Sequence, residues 1–267
     1  EQLIDDFYEG KPVTLGYDNL HPNQFVMLVS NSNPKKAALA RYANSETPLK
    51  KVHQANAWDT RPRNKEQQYA LNLLMDPDVP VVSLIGKAGS GKTLLALAAG
   101  LEQTLGKSIY KKMVVTKPVE PVGKDIGFLP GTMEDKMLPW LAPIQDNLQF
   151  LMGDDKATLE LYMEKGQIEV EAMTFIRGRS ISNAFIVIDE VQNMTQHEIK
   201  TVLTRVGEGT KIVLTGDIEQ IDNVYVNETT NGLAHAVEKF KLYPIAGHIM
   251  FKKGERSEVA SLAAKVL

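Results

Sequence analysis

The sequence predicts an α/β fold with a mostly parallel sheet flanked by helices, preceded by a small β-rich region. Two observations support this prediction. From about Trp58 onward, apolar runs of strand length alternate with longer helical patterns, as in parallel sheets covered by helices on both faces. Residues 1–57 instead hold short β-like pieces between Pro, Asn and Gly turn signals. We therefore divide the chain into a β-rich region or linker at 1–57 and an α/β domain at 58–267.

The predicted strands follow in order along the chain. Those of the β-rich region are PVTLG (12–16) and QFVMLVS (24–30). Those of the α/β domain are VPVVSLI (79–85), KMVVT (112–116), FIVID (185–189), KIVLT (211–215) and HIMFK (248–252). A helix is predicted soon after VPVVSLI, because LLALAAGLEQTL consists mostly of strong helix formers.

Composition limits the classes of protein that fit. The chain has 267 residues, of which 43% are hydrophobic, enough for one substantial core. Its 30 basic and 33 acidic residues leave a formal charge of -3, so no overall positive field indicates nucleic-acid binding. The lack of cysteine excludes disulfides and thiolate metal sites. Because the sequence has no apolar run of about 18 residues and no signal-like N-terminus, we expect a cytoplasmic protein with no membrane partner.

The segment GKAGSGKT (86–93) fits the pattern G-x-x-x-x-G-K-[ST], with a predicted strand before it and a predicted helix after it. Its glycines let the backbone curl so that N–H groups face a phosphate at the positive end of the helix dipole. Lys92 would reach the β- and γ-phosphates of ATP, and the Thr93 hydroxyl would hold Mg²⁺. A chance match has a probability on the order of 1%. The predicted ATP-binding residues here are Gly86, Lys87, Ala88, Gly89, Ser90, Gly91, Lys92, Thr93 and Leu94.

The stretch FIVIDEVQNM (185–194) places an acidic pair and a glutamine at the end of a strand. Downstream of a P-loop, Asp189 is expected to support Mg²⁺, and Glu190 to orient or deprotonate the attacking water. Taken alone, such a pair more often begins a helix, but the P-loop favours the catalytic interpretation. Gln192 is predicted to hydrogen-bond near the γ-phosphate and to report its departure.

A further strand, within LTGDIEQID (214–222), ends in Gly216-Asp217 and is followed by Gln220. Gln220 is predicted to contact the γ-phosphate or the attacking water. The alternative is a strand followed by an ordinary Asp-containing turn.

In this order, the P-loop, Asp-Glu-x-Gln and Gly-Asp-x-x-Gln resemble motifs I, II and III of superfamily 1 helicases. The stretches DIGFLPGTMEDKMLPWLAPIQDNL (125–148) and FIRGRSISNAFIVIDEVQN (175–193) narrow the resemblance to the PhoH family of P-loop ATPases, over roughly residues 58–267. The resemblance implies a RecA-like P-loop NTPase fold and an ATPase that acts on RNA in a helicase-like way. In the subgroup that the chain most resembles, a PIN-type ribonuclease domain precedes the ATPase. A chain that begins at Glu1 fits one from which that domain is missing.

Two positions depart from the family pattern. Thr116-Lys117-Pro118 stands where the family usually has Thr-Arg-Pro, and Val191 replaces the common Ala of Asp-Glu-Ala-Gln. Both departures leave the chemistry possible, although Lys117 lacks the bidentate fork that arginine offers a phosphate.

The segment RNKEQQYALNLL (63–74) resembles the adenine-recognising segment that precedes the P-loop in such enzymes. Gln67 is the candidate residue, because an amide can donate and accept together, as the adenine edge requires. The alternative is an exposed glutamine on an amphipathic helix.

Contacts to RNA are predicted for basic side chains near the ends of the strands. The candidates are Lys117, Lys124, Arg177 and Arg179. The two arginines fit a structural pairing with local carboxylates equally well. Trp58 and Trp140 could stack on bases, although packing in the interior is the commoner fate of a tryptophan.

The presence of a single P-loop leads to a prediction about how the protein assembles. Superfamily 1 helicases close two RecA-like lobes around ATP, whereas this chain has one P-loop and room for one lobe. A neighbouring subunit must then supply an arginine finger, and a head-to-tail contact of this kind closes into a ring. We predict a homo-oligomer, a hexamer, with Arg256 as the first candidate for the catalytic finger and Arg205 as the second. The alternative for Arg256 is an ion pair with Glu255 or Glu258.

The predicted activity is hydrolysis of ATP with Mg²⁺, coupled to the remodelling of single-stranded RNA. One alternative is a nucleotide-gated regulatory or assembly module for a ribonuclease domain or partner, with no unwinding activity of its own. Another is a phosphotransferase that uses the P-loop as kinases do, against which the glutamine-containing motifs count. The residues do not distinguish RNA from DNA.

Overall fold

A computed structural model of the chain describes residues 2–17, 19–118, 133–173, 180–221, 226–227, 230–252 and 258–266. The strands are β1 (Phe25–Val29), β2 (Ala37–Arg41), β3 (Lys50–Lys51), β4 (Val81–Gly86), β5 (Lys112–Lys117), β6 (Ile168–Ala172), β7 (Ala184–Ile188), β8 (Lys211–Gly216) and β9 (Ala246–Phe251). The α-helices are α1 (Gln2–Tyr8), α2 (Lys65–Leu74), α3 (Lys92–Leu101), α4 (Met133–Leu151), α5 (Lys156–Glu164), α6 (Gln196–Leu203), α7 (Gly232–Phe240) and α8 (Glu258–Val266). In the described ranges, none of the helices is long and apolar enough to cross a membrane.

Six strands form one sheet in the order β6-β5-β7-β8-β4-β9, and every neighbouring pair is parallel. The predicted α/β class with a mostly parallel sheet is therefore confirmed. Because parallel strands point their carboxyl ends the same way, the segments that follow β4, β5, β7 and β8 emerge at one edge of the sheet. The P-loop and the acidic pair belong to these segments.

Apolar side chains cover both faces of this sheet. Every residue of β4, β7 and β8 is buried. Since side chains alternate along a strand, Val82 and Leu84 of β4 join a core with α2, α3 and α4. Val81 and Ile85 of the same strand join a second core with α6 and α7. Helices thus lie on both faces, which explains why the central strands are continuous apolar runs in the sequence.

The first part of the chain forms a small separate sheet. Strands β1, β2 and β3 pair antiparallel in that order, over a core that includes Phe7 of α1 and Tyr42. The predicted β-rich region is confirmed, and QFVMLVS contains β1. The predicted strand at 12–16 is wrong, because Pro12 has no N–H to pair and Val13 accepts a single backbone hydrogen bond from Leu49, at 2.7 Å. The boundary between 57 and 58 stays a prediction.

Strands β2, β3 and β6 are not predicted from the sequence. Strand β3 is two residues long, too short to carry a pattern. Strand β6 is an edge strand with a half-buried middle, and its sequence IEVEA is interrupted by Glu169 and Glu171. Glu169 pairs with Lys112 of the neighbouring β5 at 2.9 Å, so a charged residue stabilises the strand where an apolar one was expected.

A buried polar network fastens the small sheet to the larger one. The Arg41 guanidinium pairs with Asp76 at 2.7 Å and donates two hydrogen bonds to Asn23 Oδ1. Asn23 in turn donates to the carbonyls of Pro244 and Ala246, both at 2.8 Å, where the edge strand β9 begins. Arg41 and Asn23 are both buried, so these bonds are shielded from water and from its competition.

Lys211 extends the network beneath α2. The residue is 1% exposed, and its Nζ donates to the carbonyls of Leu73 and Asp76, both at 2.6 Å. Burial lowers the pKa of Lys211 to about 7, although the Asp76 carboxylate acts to raise it. Asp76 therefore supports both cations, because its carboxylate pairs with Arg41 and acts to raise the pKa of Lys211, whereas Arg41 acts to lower that pKa.

We expect Arg41→Met to lower the free energy of unfolding by about 3 kcal/mol, because it leaves a mostly buried carboxylate without its ionic partner. Urea unfolding followed by circular dichroism measures the change. The matched control is Lys156→Met, since the pair of Lys156 with Glu160 is exposed, at 3.7 Å, and should contribute less than about 1 kcal/mol. Equal losses in the two variants would contradict the role assigned to the network.

Candidate functional site

The segment GKAGSGKT connects β4 to α3 as predicted, and LLALAAGLEQTL forms most of α3 and part of a π-helical turn at Glu102–Gly106. Gly89 (φ 79°) and Gly91 (φ 84°) adopt left-handed backbone conformations that L side chains rarely take. Gly91 is also the N-cap of α3, and a Cβ there would lie 2.8 Å from Gln67 Nε2. The loop therefore requires glycine at this position both for its conformation and for space.

Lys92 is the first residue of α3 and is 8% exposed. Its Nζ donates to the carbonyl of Lys87 at 3.3 Å. Burial lowers the pKa of the Lys92 ammonium, whereas the nearby carboxylates of Asp189, Asp217 and Glu190 act to raise it. The lysine is thus a buried cation beside three acidic groups, in position to meet an anion at the loop.

The Asp189 carboxylate joins three elements of the fold. Its Oδ1 accepts hydrogen bonds from Thr215 Oγ1 of β8 at 2.6 Å, from the Glu190 N–H at 2.9 Å and from Thr93 Oγ1 of α3 at 3.3 Å. Carboxylate and hydroxyl oxygens are ligands that suit Mg²⁺, which usually takes one or two carboxylates and keeps its other positions for water and phosphate. The predicted pair of Thr93 and Asp189 therefore fits Mg²⁺. Among the described residues, no group of three His, Cys, Asp or Glu side chains could hold a metal ion.

Glu190 has a left-handed backbone conformation (φ 56°) and precedes a 3-10 turn at Val191–Asn193. Its side chain makes no capping hydrogen bond to that turn, so the helix-start alternative does not account for the carboxylate. The side chain is 45% exposed, and its Oε2 lies 3.9 Å from Lys117 Nζ. The strained backbone costs about 1 kcal/mol, which the hydrogen bond from the Glu190 N–H to Asp189 helps to offset.

Gln192 connects the acidic pair to the loop after β8. Its Oε1 accepts a hydrogen bond from the Asp217 N–H and its Nε2 donates to the Gln220 carbonyl, both at 3.1 Å. Gln192 is 4% exposed, whereas Gln220 is exposed. The two predicted glutamines are therefore adjacent, and the amide of Gln192 is engaged with backbone. Their contacts with a γ-phosphate stay predictions.

Asp217 contributes more than the turn that the sequence indicates. It is 6% exposed, and its Oδ2 accepts a hydrogen bond from the Ala88 N–H of the P-loop at 3.3 Å. Its Oδ1 accepts a hydrogen bond from the Glu219 N–H at 3.0 Å, as is typical of an Asp-containing turn. The Gly-Asp pair at a strand end is a signal that could have identified this third acid of the site.

These groups line one cavity of about 320 Å³ at the carboxyl edge of the sheet. Its lining residues are Ala88, Gly89, Gly91, Lys92, Thr93, Leu94, Asn147, Asp189, Glu190, Gln192, Gly216, Asp217 and Gln220. Asn147 comes from α4, within the stretch 125–148 that resembles the PhoH family, but it is not among the predicted site residues. The P-loop, the acidic pair and both glutamines, predicted separately, are thus brought together.

Three predicted loop residues do not line this cavity. Gly86 is pressed against β9, where a Cβ would lie 2.7 Å from the Phe251 Cβ. Ser90 is fully buried, and Lys87 forms an exposed pair with Glu219 at 3.0 Å. Gly86 and Ser90 therefore shape the loop from behind, and Lys87 points away from it.

A second cavity, of about 540 Å³, lies alongside the first and shares Gly89, Gly91 and Leu94 with it. Gln67 lines this cavity and is 4% exposed, so the alternative of an exposed glutamine is wrong. Its Oε1 accepts from the Arg63 N–H at 2.8 Å, and its Nε2 donates to the Ser90 carbonyl at 3.1 Å. The amide holds the P-loop against α2. An adenine could therefore hydrogen-bond only to the second N–H or the second lone pair of this amide.

Other predicted residues lie elsewhere. Trp58 donates from its indole to the Leu151 carbonyl at 2.8 Å and packs against the core, which favours the structural alternative. Trp140 is partly exposed on α4, and Arg205 is exposed just beyond α6, away from both cavities. Four predicted residues fall outside the described residues, namely Lys124, Arg177, Arg179 and Arg256.

A glycine loop between a parallel strand and a helix, with a strand-end aspartate bonded to its threonine, defines a P-loop nucleotide-binding protein. The model of one family, described as PhoH-like protein, matches residues 59–266. The chain belongs to the PhoH family. This membership supports nucleotide binding and ATP hydrolysis at the P-loop.

Two longer relatives match most or all of the chain. Protein PhoH2 of Bacillus subtilis is 50% identical, over 100% of this chain and 62% of the relative. Protein PhoH2 of Thermobispora bispora is 41% identical, over 78% of this chain and 47% of the relative. The chain thus spans between about half and two thirds of their lengths. A solved SWI2/SNF2 ATPase core of Sulfolobus solfataricus in complex with dsDNA matches 76% of this chain and 46% of that one, with 14% identity and a TM-score of 0.42. A likeness this distant says nothing about function.

We expect Gly91→Ala to abolish detectable binding of a fluorescent ATP analogue, because the new Cβ collides with the Gln67 amide and distorts the loop. The matched control is Gly153→Ala, since Gly153 also has a positive φ, of 70°, but a Cβ there meets nothing within 4 Å. Both variants should lose about 1 kcal/mol of stability from backbone strain. Undiminished analogue binding by Gly91→Ala would contradict the proposed fit of the loop.

Proposed function

We propose that this domain binds ATP with Mg²⁺ in the 320 Å³ cavity, hydrolyses it, and couples hydrolysis to helicase-like remodelling of single-stranded RNA. One observation carries the ATPase part of the proposal. Lys92 and Thr93 of the P-loop line the same cavity as Asp189 and Glu190, which come from a separate motif on another strand. Membership of the PhoH family supports the same activity.

The position of each residue supports a role. Lys92 and the loop N–H groups bind the β- and γ-phosphates, while Thr93 and Asp189 hold Mg²⁺, which offsets phosphate charge when it is bound. Glu190 orients the attacking water and accepts its proton. Gln67 lines the adjoining cavity, which is where we place the adenine.

The link from Glu190 to the loop after β8 supports a coupling role. Gln192 follows the acidic pair and hydrogen-bonds to both Asp217 and Gln220, so a movement at the γ-phosphate can reach this loop through one side chain. Nucleotide-dependent rearrangement of such a contact is what a motor needs and simple nucleotide storage does not. The resemblance to RNA-acting ATPases directs the proposal to RNA.

We further propose that the protein works as a head-to-tail ring, a hexamer. In such a ring a neighbouring subunit would bring an arginine finger to the 320 Å³ cavity, whose described lining includes Lys92. Arg256 stays the first candidate. Arg205 is the second, and its exposed position suits contact with a neighbour.

A second candidate function is a nucleotide-gated module that organises a ribonuclease domain or partner and performs no unwinding itself. The observation that favours it is the length of the relatives, of which the matched part is 62% and 47%. ATP hydrolysis that is indifferent to RNA, together with a nucleotide-dependent change of oligomer size, would support this candidate over an RNA motor.

We expect single-stranded RNA to stimulate steady-state ATP hydrolysis several-fold, with both the basal and the stimulated rate absent in Lys92→Ala. Glu190→Gln should bind ATP normally and lower kcat by about 100-fold, because the water loses its proton acceptor. Phosphate release is the measurement, and single-stranded DNA of the same sequence tests the choice of nucleic acid. A wild-type rate no higher than that of Lys92→Ala would contradict the ATPase proposal.

We expect Gln192→Ala to spare ATP binding and to lower hydrolysis or its stimulation by RNA, because the variant disconnects the acidic pair from the loop after β8. The matched control is Gln103→Ala. Gln103 is also buried and donates to the carbonyls of Leu74 and Ala99, far from the cavity. The control should lower thermal stability and keep the stimulation ratio. Unchanged RNA-stimulated turnover in Gln192→Ala would refute the coupling role.

A further inference from the structure

Lys117, the last residue of β5, lies beside the proposed catalytic base. The β5–β7 ladder continues one residue past β7, because the Asp189 N–H donates to the Thr116 carbonyl at 2.9 Å. The register pairs Thr116 with Ile188, so Lys117 lies level with Asp189, one residue before Glu190. The Lys117 ammonium lies 3.9 Å from Glu190 Oε2. Backbone pairing of the sheet therefore brings the two strand ends, and with them this ion pair, close together.

Lys117 approaches Glu190 from outside the nucleotide cavity. Glu190 lines the 320 Å³ cavity and Lys117 does not. The Lys117 side chain is 13% exposed, against 45% for Glu190, so the lysine reaches the carboxylate from the protein side. A ligand that attracts Lys117 can therefore act on Glu190 without occupying the position of the ATP phosphates.

We propose that Lys117 is a positioning residue that restrains Glu190, and that nucleic-acid phosphates release the restraint by competing for the lysine. The inference rests on the proposed role of Glu190 as the base for ATP hydrolysis. A carboxylate beside an ammonium is held in one orientation by the attraction between the two charges. When phosphate oxygens bind Lys117, this attraction is lost and Glu190 can turn to face the attacking water.

The strength of the contact suits a reversible restraint. At 3.9 Å the two groups attract each other without a direct hydrogen bond. A partly exposed ion pair of this kind contributes little free energy, so its loss should change a rate by about two- to fivefold. A phosphate offers the ammonium a comparable partner, since lysine binds phosphate as a point charge.

The test compares steady-state ATP hydrolysis with and without single-stranded RNA in three variants. Lys117→Gln removes the charge, and Lys117→Arg keeps it. Lys112→Gln is the matched control, because Lys112 lies at the other end of β5 and also forms an ion pair, with Glu169 at 2.9 Å. Thermal melting of each variant checks that it is folded.

We expect Lys117→Gln to raise the basal rate about two- to fivefold and to lose most of the stimulation by RNA. Lys117→Arg should keep a low basal rate and a stimulation above that of Lys117→Gln, and Lys112→Gln should match the wild type.

A basal rate in Lys117→Gln that equals or falls below the wild-type rate would overturn the restraint, even if the stimulation by RNA were lost. A different result would contradict the proposed function itself, namely a wild-type rate of ATP hydrolysis that does not exceed the rate of Lys92→Ala. In a third outcome, Lys117→Gln has a raised basal rate but RNA does not stimulate the wild type. This result would establish the restraint and overturn its release by nucleic acid.

Discussion

The parallel pairing of β5, β7, β8 and β4 is the constraint on which the site depends. Neighbouring strands fix one another's register, so the residues that follow their carboxyl ends must meet. The Asp189 carboxylate makes use of this convergence, since it reaches Thr93 beyond β4 and Thr215 within β8. Asp189 directly follows β7 and Thr215 belongs to β8, whereas the glycine loop connects β4 to Thr93. The sheet therefore fixes the position of the carboxylate, and the loop brings the threonine to it.

The charges at this edge suggest why a divalent cation would accompany the nucleotide. Three carboxylates, those of Asp189, Glu190 and Asp217, lie near the buried Lys92. Free ATP would add negative charge to a cluster of side chains in which the carboxylates already outnumber the lysine. The magnesium complex brings less negative charge, and it satisfies an acid and a phosphate together. The charges of these side chains thus favour the magnesium complex over the free nucleotide.

Much of this arrangement follows from local sequence patterns. The P-loop and five strands of the large sheet, among them the strand before Asp189, are predicted because each has a continuous motif or apolar run. The features that are not predicted from the sequence share a physical cause, which is that they depend on contacts between distant segments. Strand β6 carries Glu169, which pairs with Lys112 of the neighbouring strand, and the chain at 12–16 forms no strand, although Val13 accepts a hydrogen bond from Leu49. Asn147 and the contact of Asp217 with Ala88 depend on packing between distant segments, which no local pattern encodes.

The Asn23 amide has a consequence beyond joining the two sheets. The strand β9 lies at the end of the sheet order, where carbonyl groups without a neighbouring strand could recruit one from another molecule. Asn23 occupies two carbonyls there, those of Pro244 and Ala246. Recruitment of a foreign strand would first have to displace a buried side chain that Arg41 holds in place. The small sheet therefore covers the start of β9 and leaves less of that edge open to the addition of a strand.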